Sequence, residues 1–260
     1  MTALNLRLAA ALLVLGTIVL LVTAPTNVRA QASDVEPEAM QILKKMTDYI
    51  GGLQQFSLDT ENMLEDVLMS GQKIQYDFSA SVVIQRPNKL RAERTGYLFN
   101  QLLVYDGKTL TIFNHEDNYY AAAAAPDNID GLLHFARDTL DIVPPTGDMV
   151  FTNAFDLLTA GVTSGGVVGK AMVGGVACDH LAFTSPLVDW QIWIADGDKP
   201  LPYKYVLTTK DDPVHPQYIV LMSNWNVAPE VKDALFKFTP PKGAKETEFI
   251  RMDTGSPEMR

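Results

Sequence analysis

Apolar side chains recur at every second position through most of the chain after Gln54. In "YDFSASVVI", residues 76–84, Tyr76, Phe78, Ala80, Val82 and Ile84 alternate with mostly small or polar residues. Such alternation is typical of strands with one buried face. Tight-turn signals, such as Asp-Gly at 106–107, separate the runs. Because neighbouring strands follow one another without an intervening helix, we predict a single curved antiparallel sheet.

Three segments keep a helical period instead. The first runs from Ala39 to Leu53, and the preceding Ser33–Glu36 pair has the spacing of a capping box. Two central helices are predicted over 127–142 and 147–160, each with an apolar stripe that must be covered. The triplet "FKF" at 236–238 is predicted as a late strand. The expected fold is therefore α+β: a half-open β-barrel with an N-terminal helix and the two central helices as a lid.

The first thirty residues differ in composition from the rest. Arg7 precedes an uncharged, largely apolar run, Leu8 to Val22, and Ala30 precedes Gln31. This pattern is typical of a signal peptide, and a run of about fifteen residues is short for a membrane span of roughly 20. We expect residues 1–30 to be cleaved, residues 31–260 to form a single domain, and the protein to be periplasmic.

The charge of the chain excludes one class of partner. The formal net charge is −10, from 21 Lys and Arg against 31 Asp and Glu. Cleavage would remove Arg7 and Arg29, leaving 19 basic residues against 31 acidic ones and a net charge of −12. Such a surface repels nucleic acid, so no nucleic-acid partner is expected. The single cysteine, Cys178, excludes an intramolecular disulfide.

The tripeptide Cys178-Asp179-His180 contains the residue types of a catalytic relay. On a strand, however, Cys178 and His180 point to one face and Asp179 to the other, so the three cannot act as one relay. A buried thiol beside a hydrogen-bonded histidine is the preferred interpretation, and a hydrolase built on Cys178 or His180 is a weaker alternative. The four histidines are dispersed without zinc-ligand spacing. We predict no catalytic residue, no metal and no cofactor.

Three motifs in order carry a resemblance to a known family. The runs are "VVIQRPNKLRAE", "LLVYDGKTLTIFN" and "FKFTPPKGA". The chain resembles the LolA/LolB-like superfamily of bacterial envelope lipoprotein carriers, and is most similar to a branch of predicted periplasmic proteins that share "CDHLAF", "DWQIWI" and "PQY". The resemblance implies a half-open barrel whose helical lids enclose an apolar cavity for acyl chains. It also implies that Arg86 is the latch that ties the barrel to its lid.

A sheet of this size covered by two or three helices tends to leave an unfilled hollow. Its predicted lining consists of residues on faces that are apolar by their periodicity: Phe78, Val82, Leu103, Leu110, Ile112, Leu133, Trp190, Ile192, Tyr203, Tyr205, Ile219 and Leu221. The predicted function is non-enzymatic binding or transport of a lipid, or of the acyl chains of a lipidated protein, by a monomer that also contacts another envelope protein. The alternative is an envelope interaction or sensor module whose core is filled by its own side chains.

Overall fold

The computed structural model describes residues 34–142 and 146–249. The predicted signal peptide, residues 1–30, lies outside the described residues, so its cleavage stays a prediction. In the described part of the chain, thirteen strands form one open sheet. They are β1 (Asp34–Val35), β2 (Gln55–Val67), β3 (Lys73–Gln85), β4 (Lys89–Gly96), β5 (Asn100–Tyr105), β6 (Thr109–Asn114), β7 (Tyr119–Ala124), β8 (Ser164–Val173), β9 (Val176–Thr184), β10 (Val188–Ala195), β11 (Pro202–Thr209), β12 (Gln217–Asn226) and β13 (Lys245–Thr247).

Helices accompany the sheet at the predicted places. The α-helices are α1 (Pro37–Gly52), α2 (Ile129–Leu140) and α3 (Ala154–Thr159), and the 3₁₀ helices span Gly147–Met149 and Asp233–Phe236. The predicted fold, an open sheet with an N-terminal helix and two central helical segments, is confirmed.

The sheet consists of two antiparallel meanders that meet in its middle. Strands β2 to β7 form one meander and β8 to β12 the other, and β12 pairs with β2 to join them. The two edge strands differ from the antiparallel prediction, because β1 pairs with β8 and β13 with β7 in parallel. These edge strands are added from the two ends of the described chain, so no tight turn forces an antiparallel direction.

One face of the sheet, the helix-covered face, holds the main core. Helix α1 buries its apolar stripe there, and Ala39, Leu43, Met46 and Ile50 are 0–1% exposed. Against it lie sheet residues such as Ile192, which is fully buried. The middle of the predicted hollow is therefore filled by the protein's own side chains.

The start of α1 differs from the predicted capping box. Glu36 is itself the residue before the helix, with no side-chain cap, and Pro37 occupies the first turn. The Glu36 carboxylate instead accepts a hydrogen bond from the Val167 amide at 2.9 Å. Glu36 thus connects α1 to β8, and the proline with its fixed φ begins the helix.

The second central helix, predicted over 147–160, is broken into the 3₁₀ helix and α3. Between them the Thr152 amide and hydroxyl both donate to the carboxylate of Asp130 on α2. This amide is consequently not available for a continuous helical ladder. A contact between residues that are distant in sequence therefore interrupts the helix that the local apolar periodicity predicts.

The Asp106 hairpin puts the predicted residues on one face, but not in the register of a two-residue Asp106-Gly107 turn, because four residues, 106–109, separate the paired Tyr105 and Leu110. Tyr105 lies opposite Leu110 and Leu103 opposite Ile112, so these four share one face. The Asp106 carboxylate accepts hydrogen bonds from the amides of residues 108 and 109, and Gly107 takes a φ of 97°.

The opposite face of the sheet, the outer face, is covered at β4 to β7 by the C-terminal segment. Phe236 is fully buried, and the Phe238 ring lies 5.7 Å from that of Phe113. The predicted strand at 236–238 is wrong, because Phe236 ends a 3₁₀ helix and the next residues form no strand.

Candidate functional site

An apolar cavity of about 370 Å³ lies between the sheet and the segments α2, the 3₁₀ helix 147–149 and α3, which together are called the lid. Binding sites for small molecules commonly enclose roughly 300–1,000 Å³. The lining residues are Leu133, Arg137, Gly147, Asp148, Phe151, Leu157, Leu158, Val188, Trp190, Tyr205 and Leu207.

The sheet wall of this lid cavity is made by neighbouring strands. Trp190 on β10 lies directly opposite Leu207 on β11, and the Trp190 ring stacks on Phe183 with centroids 4.2 Å apart. Tyr205 is 4% exposed. Burial raises the pKa of its phenol, and the charge of Asp148 acts in the same direction, so this wall stays neutral at physiological pH.

Two polar contacts hold the lid segments together. At one end the Asp130 carboxylate accepts a hydrogen bond from the Thr152 amide at 3.1 Å. At the other, the Arg137 guanidinium lies 3.4 Å from the Asp148 carboxylate. The Arg137 and Asp148 side chains are 35% and 44% exposed, so water competes for this ion pair at the mouth of the cavity.

Arg86, the predicted latch, reaches the lid from the end of β3. Its Nη2 donates to the Val150 carbonyl at 2.6 Å, while its Nε is buried with no hydrogen-bond partner among the described residues. The next peptide, to Pro87, is cis, and the Pro87 carbonyl accepts the Ile129 amide at the start of α2. Burial lowers the pKa of Arg86, and the Asp130 charge opposes that shift. The geometry fits a latch, whose role stays a prediction.

The predicted pocket residues do not share one hollow. Leu133, Trp190 and Tyr205 line the lid cavity. The others on the helix-covered face are dispersed: Ile192 in the main core, Val82 beside a gap of about 60 Å³ under α1, Leu110 under α2, Leu103 beside Ile112, and Phe78 against the Phe99 ring. Tyr203, at a bulge of β11, contacts clusters on both faces.

The predicted lining is wrong at Ile219 and Leu221, which lie on the outer face of the sheet. Val220 between them is fully buried in the main core, so alternation turns both neighbours to the outer face. Ile219 packs there against the cluster of Cys178, Trp193 and Val206, and Leu221 is 36% exposed. The run from 218 to 222 is apolar throughout, so its sequence could not indicate which residues face inward.

Sequence reasoning missed the polar rim of the lid cavity. Arg137 follows Leu133 by four residues on α2, a spacing that places both on one helix face. That spacing was a usable signal. Asp148 had none, because its role depends on the broken second helix.

Cys178 lies on the outer face and is fully buried. Its Sγ lies 3.5 Å from the Val176 carbonyl, while His180 contacts Gln191 and stacks on Trp193. Burial raises the pKa of the thiol, and the Asp179 charge adds to this effect. The thiol is therefore protonated and a poor nucleophile.

The described part of the chain contains neither a metal-ligand cluster nor a long apolar helix. No group of three or more His, Cys, Asp or Glu residues there could hold a metal ion. Over 34–142 and 146–249, no helix combines the length and apolar character needed to cross a bilayer. The absence of catalysis, metal and cofactor stays a prediction.

A family model described as "Predicted periplasmic protein (DUF2092)" matches residues 39–250. The chain belongs to this family. The predicted place of the chain among periplasmic proteins is thereby confirmed. No curated protein matches this DUF2092 chain.

Solved structures similar to this DUF2092 protein are distant in sequence. An uncharacterized conserved protein from Thermus thermophilus matches at 12% identity and a TM-score of 0.48, covering 81% of this chain and 99% of its own. LprF from Mycobacterium bovis matches at 16% identity and 0.47, with coverages of 81% and 99%. A LolA superfamily protein from Nitrosomonas europaea matches at 12% identity and 0.34, with coverages of 77% and 97%. Likenesses this low carry no argument about ligand or mechanism.

Proposed function

We propose that this periplasmic protein binds an apolar ligand, such as a lipid acyl chain, in the lid cavity. The observation that carries the proposal is the unfilled volume of about 370 Å³ between the Leu133 face of α2 and the Trp190 face of the sheet. Because most of the lining is hydrocarbon or aromatic, a ligand gains about 25 cal/mol for each Å² of apolar surface that it buries. One acyl chain gains several kcal/mol in this way.

Entry requires the lid to move. The ion pair of Arg137 with Asp148 and the hydrogen bond from Arg86 to Val150 both hold the segment 147–150 against its neighbours. Both contacts are local and partly accessible to water, so they can open transiently. Opening must also release lid side chains such as Met149 and Leu158, which pack in the main core. The lid thus acts as a gate that exchanges ligand and does no covalent chemistry. A lipid or a lipidated protein is the proposed partner, and a monomeric state stays a prediction.

The filled region under α1 supports, for that part of the sheet, the alternative function of an interaction module whose core is filled by its own side chains. Because Leu43, Met46 and Ile50 occupy the middle of the helix-covered face, a ligand there has no room. If the lid cavity also fails to bind, the protein is an interaction module with a filled core.

The test is to purify the protein from periplasm without detergent, extract it with organic solvent and identify lipids by mass spectrometry. The delipidated protein is then titrated with the uncharged fluorescent probe N-phenyl-1-naphthylamine. Leu207→Trp places an indole in the lid cavity, and Leu221→Trp makes the same change on the outer face. We expect co-purified lipid, probe binding weakened roughly tenfold in Leu207→Trp, and no change in Leu221→Trp. Equal probe affinity in all three proteins contradicts the proposal.

A further inference from the structure

Arg94 is a cation on the helix-covered face of β4. It lies opposite Ala80 on β3 and Gln101 on β5. Its Nη2 donates to the Gln101 side-chain carbonyl, and its Cζ lies 4.4 Å from the centroid of the Phe99 ring. These contacts fix the guanidinium plane without supplying a negative charge.

The charge of Arg94 has no counter-ion in the described part of the chain. None of the ion pairs there includes Arg94, although the protein carries ten more acidic than basic residues. Its Nε is buried and has no hydrogen-bond partner among the described residues. Burial lowers the pKa of Arg94, and the Tyr218 phenol opposes that shift. An aromatic face compensates for only part of the cost of desolvating a cation. The site therefore favours an anion from outside the described chain.

A second cavity, of about 470 Å³, lies beside this guanidinium. Its wall combines Arg94 with hydrocarbon from Ile112 on β6 and Leu140 at the end of α2. The carboxylates of Asp141 and Glu248 also line it, but both residues are exposed and neither forms an ion pair with Arg94. The cavity thus offers one half-buried positive group next to an apolar surface.

We propose that this second cavity binds an amphiphilic anion, with its carboxylate or phosphate on Arg94 and its hydrocarbon against Ile112 and Leu140. Arginine suits both headgroups, because its planar fork donates two parallel hydrogen bonds to either. The proposal does not rest on the lid cavity, which has different lining residues.

Arg91 provides a matched control on the same strand. It is three residues from Arg94, so its side chain points to the outer face. There its Nη2 lies 3.1 Å from the Glu93 carboxylate. Neutralising Arg91 changes the net charge of the protein as much as neutralising Arg94 does, but leaves the second cavity unaltered.

The test is calorimetric titration of the delipidated protein with dodecanoate, dodecyl phosphate and uncharged dodecanol, each below its critical micelle concentration. We expect at least one anion to bind roughly tenfold more tightly than dodecanol. Arg94→Gln should remove that preference, Arg94→Lys should retain part of it, and Arg91→Gln should not alter it. Tighter binding of dodecyl phosphate indicates a phosphate headgroup, and tighter binding of dodecanoate a fatty acid.

Thermal unfolding checks that Arg94→Gln is folded. If this variant does not fold, the comparison of the anions with dodecanol in the wild-type protein still tests the proposal. Equal affinity for dodecanol and the anions, or no binding, overturns the proposal. An anion preference that survives in folded Arg94→Gln also overturns it. If Leu207→Trp rather than Arg94→Gln abolishes binding, the ligand occupies the lid cavity, so the proposed function survives and the second site does not.

Discussion

The guanidinium of Arg137 lies 3.4 Å from the carboxylate of Asp148 and joins α2 to the 3₁₀ helix of the lid. Since both side chains are partly exposed, the pair contributes about 0.5 kcal/mol to lid closure.

Arg137→Met combined with Asp148→Asn should therefore speed the release of N-phenyl-1-naphthylamine by about twofold, measured by stopped-flow fluorescence. High salt should speed release from the wild-type protein but not from the double variant. Lys73→Met disrupts the ion pair with Glu65 between β3 and β2, which involves no lid residue, and should leave release unchanged. A double variant that remains salt-sensitive would show that this pair does not restrain the lid.

Arg86→Met should loosen the lid with little effect on global stability. The change removes the hydrogen bond to the Val150 carbonyl, but it also removes a buried Nε without a partner. We expect hydrogen exchange at the Val150 and Thr152 amides to rise roughly tenfold, and the free energy of unfolding to change by less than about 1 kcal/mol. Arg91→Met, on the outer face, is the control. Unaltered exchange at both amides would disprove the latch.

Asp59→Ala should destabilise the protein in a pH-dependent way. The Asp59 carboxylate accepts hydrogen bonds from Ser81 at 2.6 Å and Asn224 at 2.8 Å, which lower its pKa below the ordinary value. A lowered folded-state pKa gives stability that is complete above the unfolded-state pKa and is lost as pH falls through the folded-state pKa. Urea unfolding should show a loss of about 1 kcal/mol at neutral pH that shrinks below about pH 4. Exposed Glu61, on the same strand, is the control as Glu61→Ala. A loss that is independent of pH would contradict the assignment.

The two faces of the sheet should respond differently to truncation. Ile192→Ala opens a cavity in the main core and should cost about 2–5 kcal/mol in the free energy of unfolding. Leu221→Ala removes a residue that is 36% exposed on the outer face, and should cost less than about 1 kcal/mol. A loss at Leu221 on β12 as large as the roughly 2–5 kcal/mol expected at Ile192 on β10 would mean that the faces of β12 are wrongly assigned.

The single thiol should be inert in the folded protein. Cys178 is fully buried and burial raises its pKa, so both access and thiolate formation are suppressed. Iodoacetamide should modify it rapidly in urea and not measurably in buffer, as followed by intact-mass spectrometry. Rapid modification of the native protein would reopen the hydrolase alternative.

The sequence predicted the features that depend on local patterns. Alternation identified strands such as β3, and the Asp-Gly signal located the hairpin in which Tyr105 and Leu110 share a face, although not its register. These features follow from the side-chain period and from turn geometry, which a short segment determines on its own.

Features that depend on distant partners were not predictable. The break after Met149 follows from the contact of Thr152 with Asp130, 22 residues earlier. The inward face of β12 is set by its pairing with β2, because its own sequence is apolar at every position from 218 to 222. Whether Arg94 has a counter-ion depends on the three-dimensional positions of carboxylates from distant parts of the chain, which the local sequence does not determine.

The pairing of β12 with β2 joins Tyr218 to Leu64 at the centre of the sheet, across most of the chain. Strand β2 lacks one of its two neighbouring strands until β12 is present, and contacts between such distant segments form slowly. A chain that emerges from a membrane N-terminus first therefore stays incompletely folded until nearly all of it has crossed. This delay leaves the apolar strands β2 to β7 in need of protection from aggregation until the last long strand arrives.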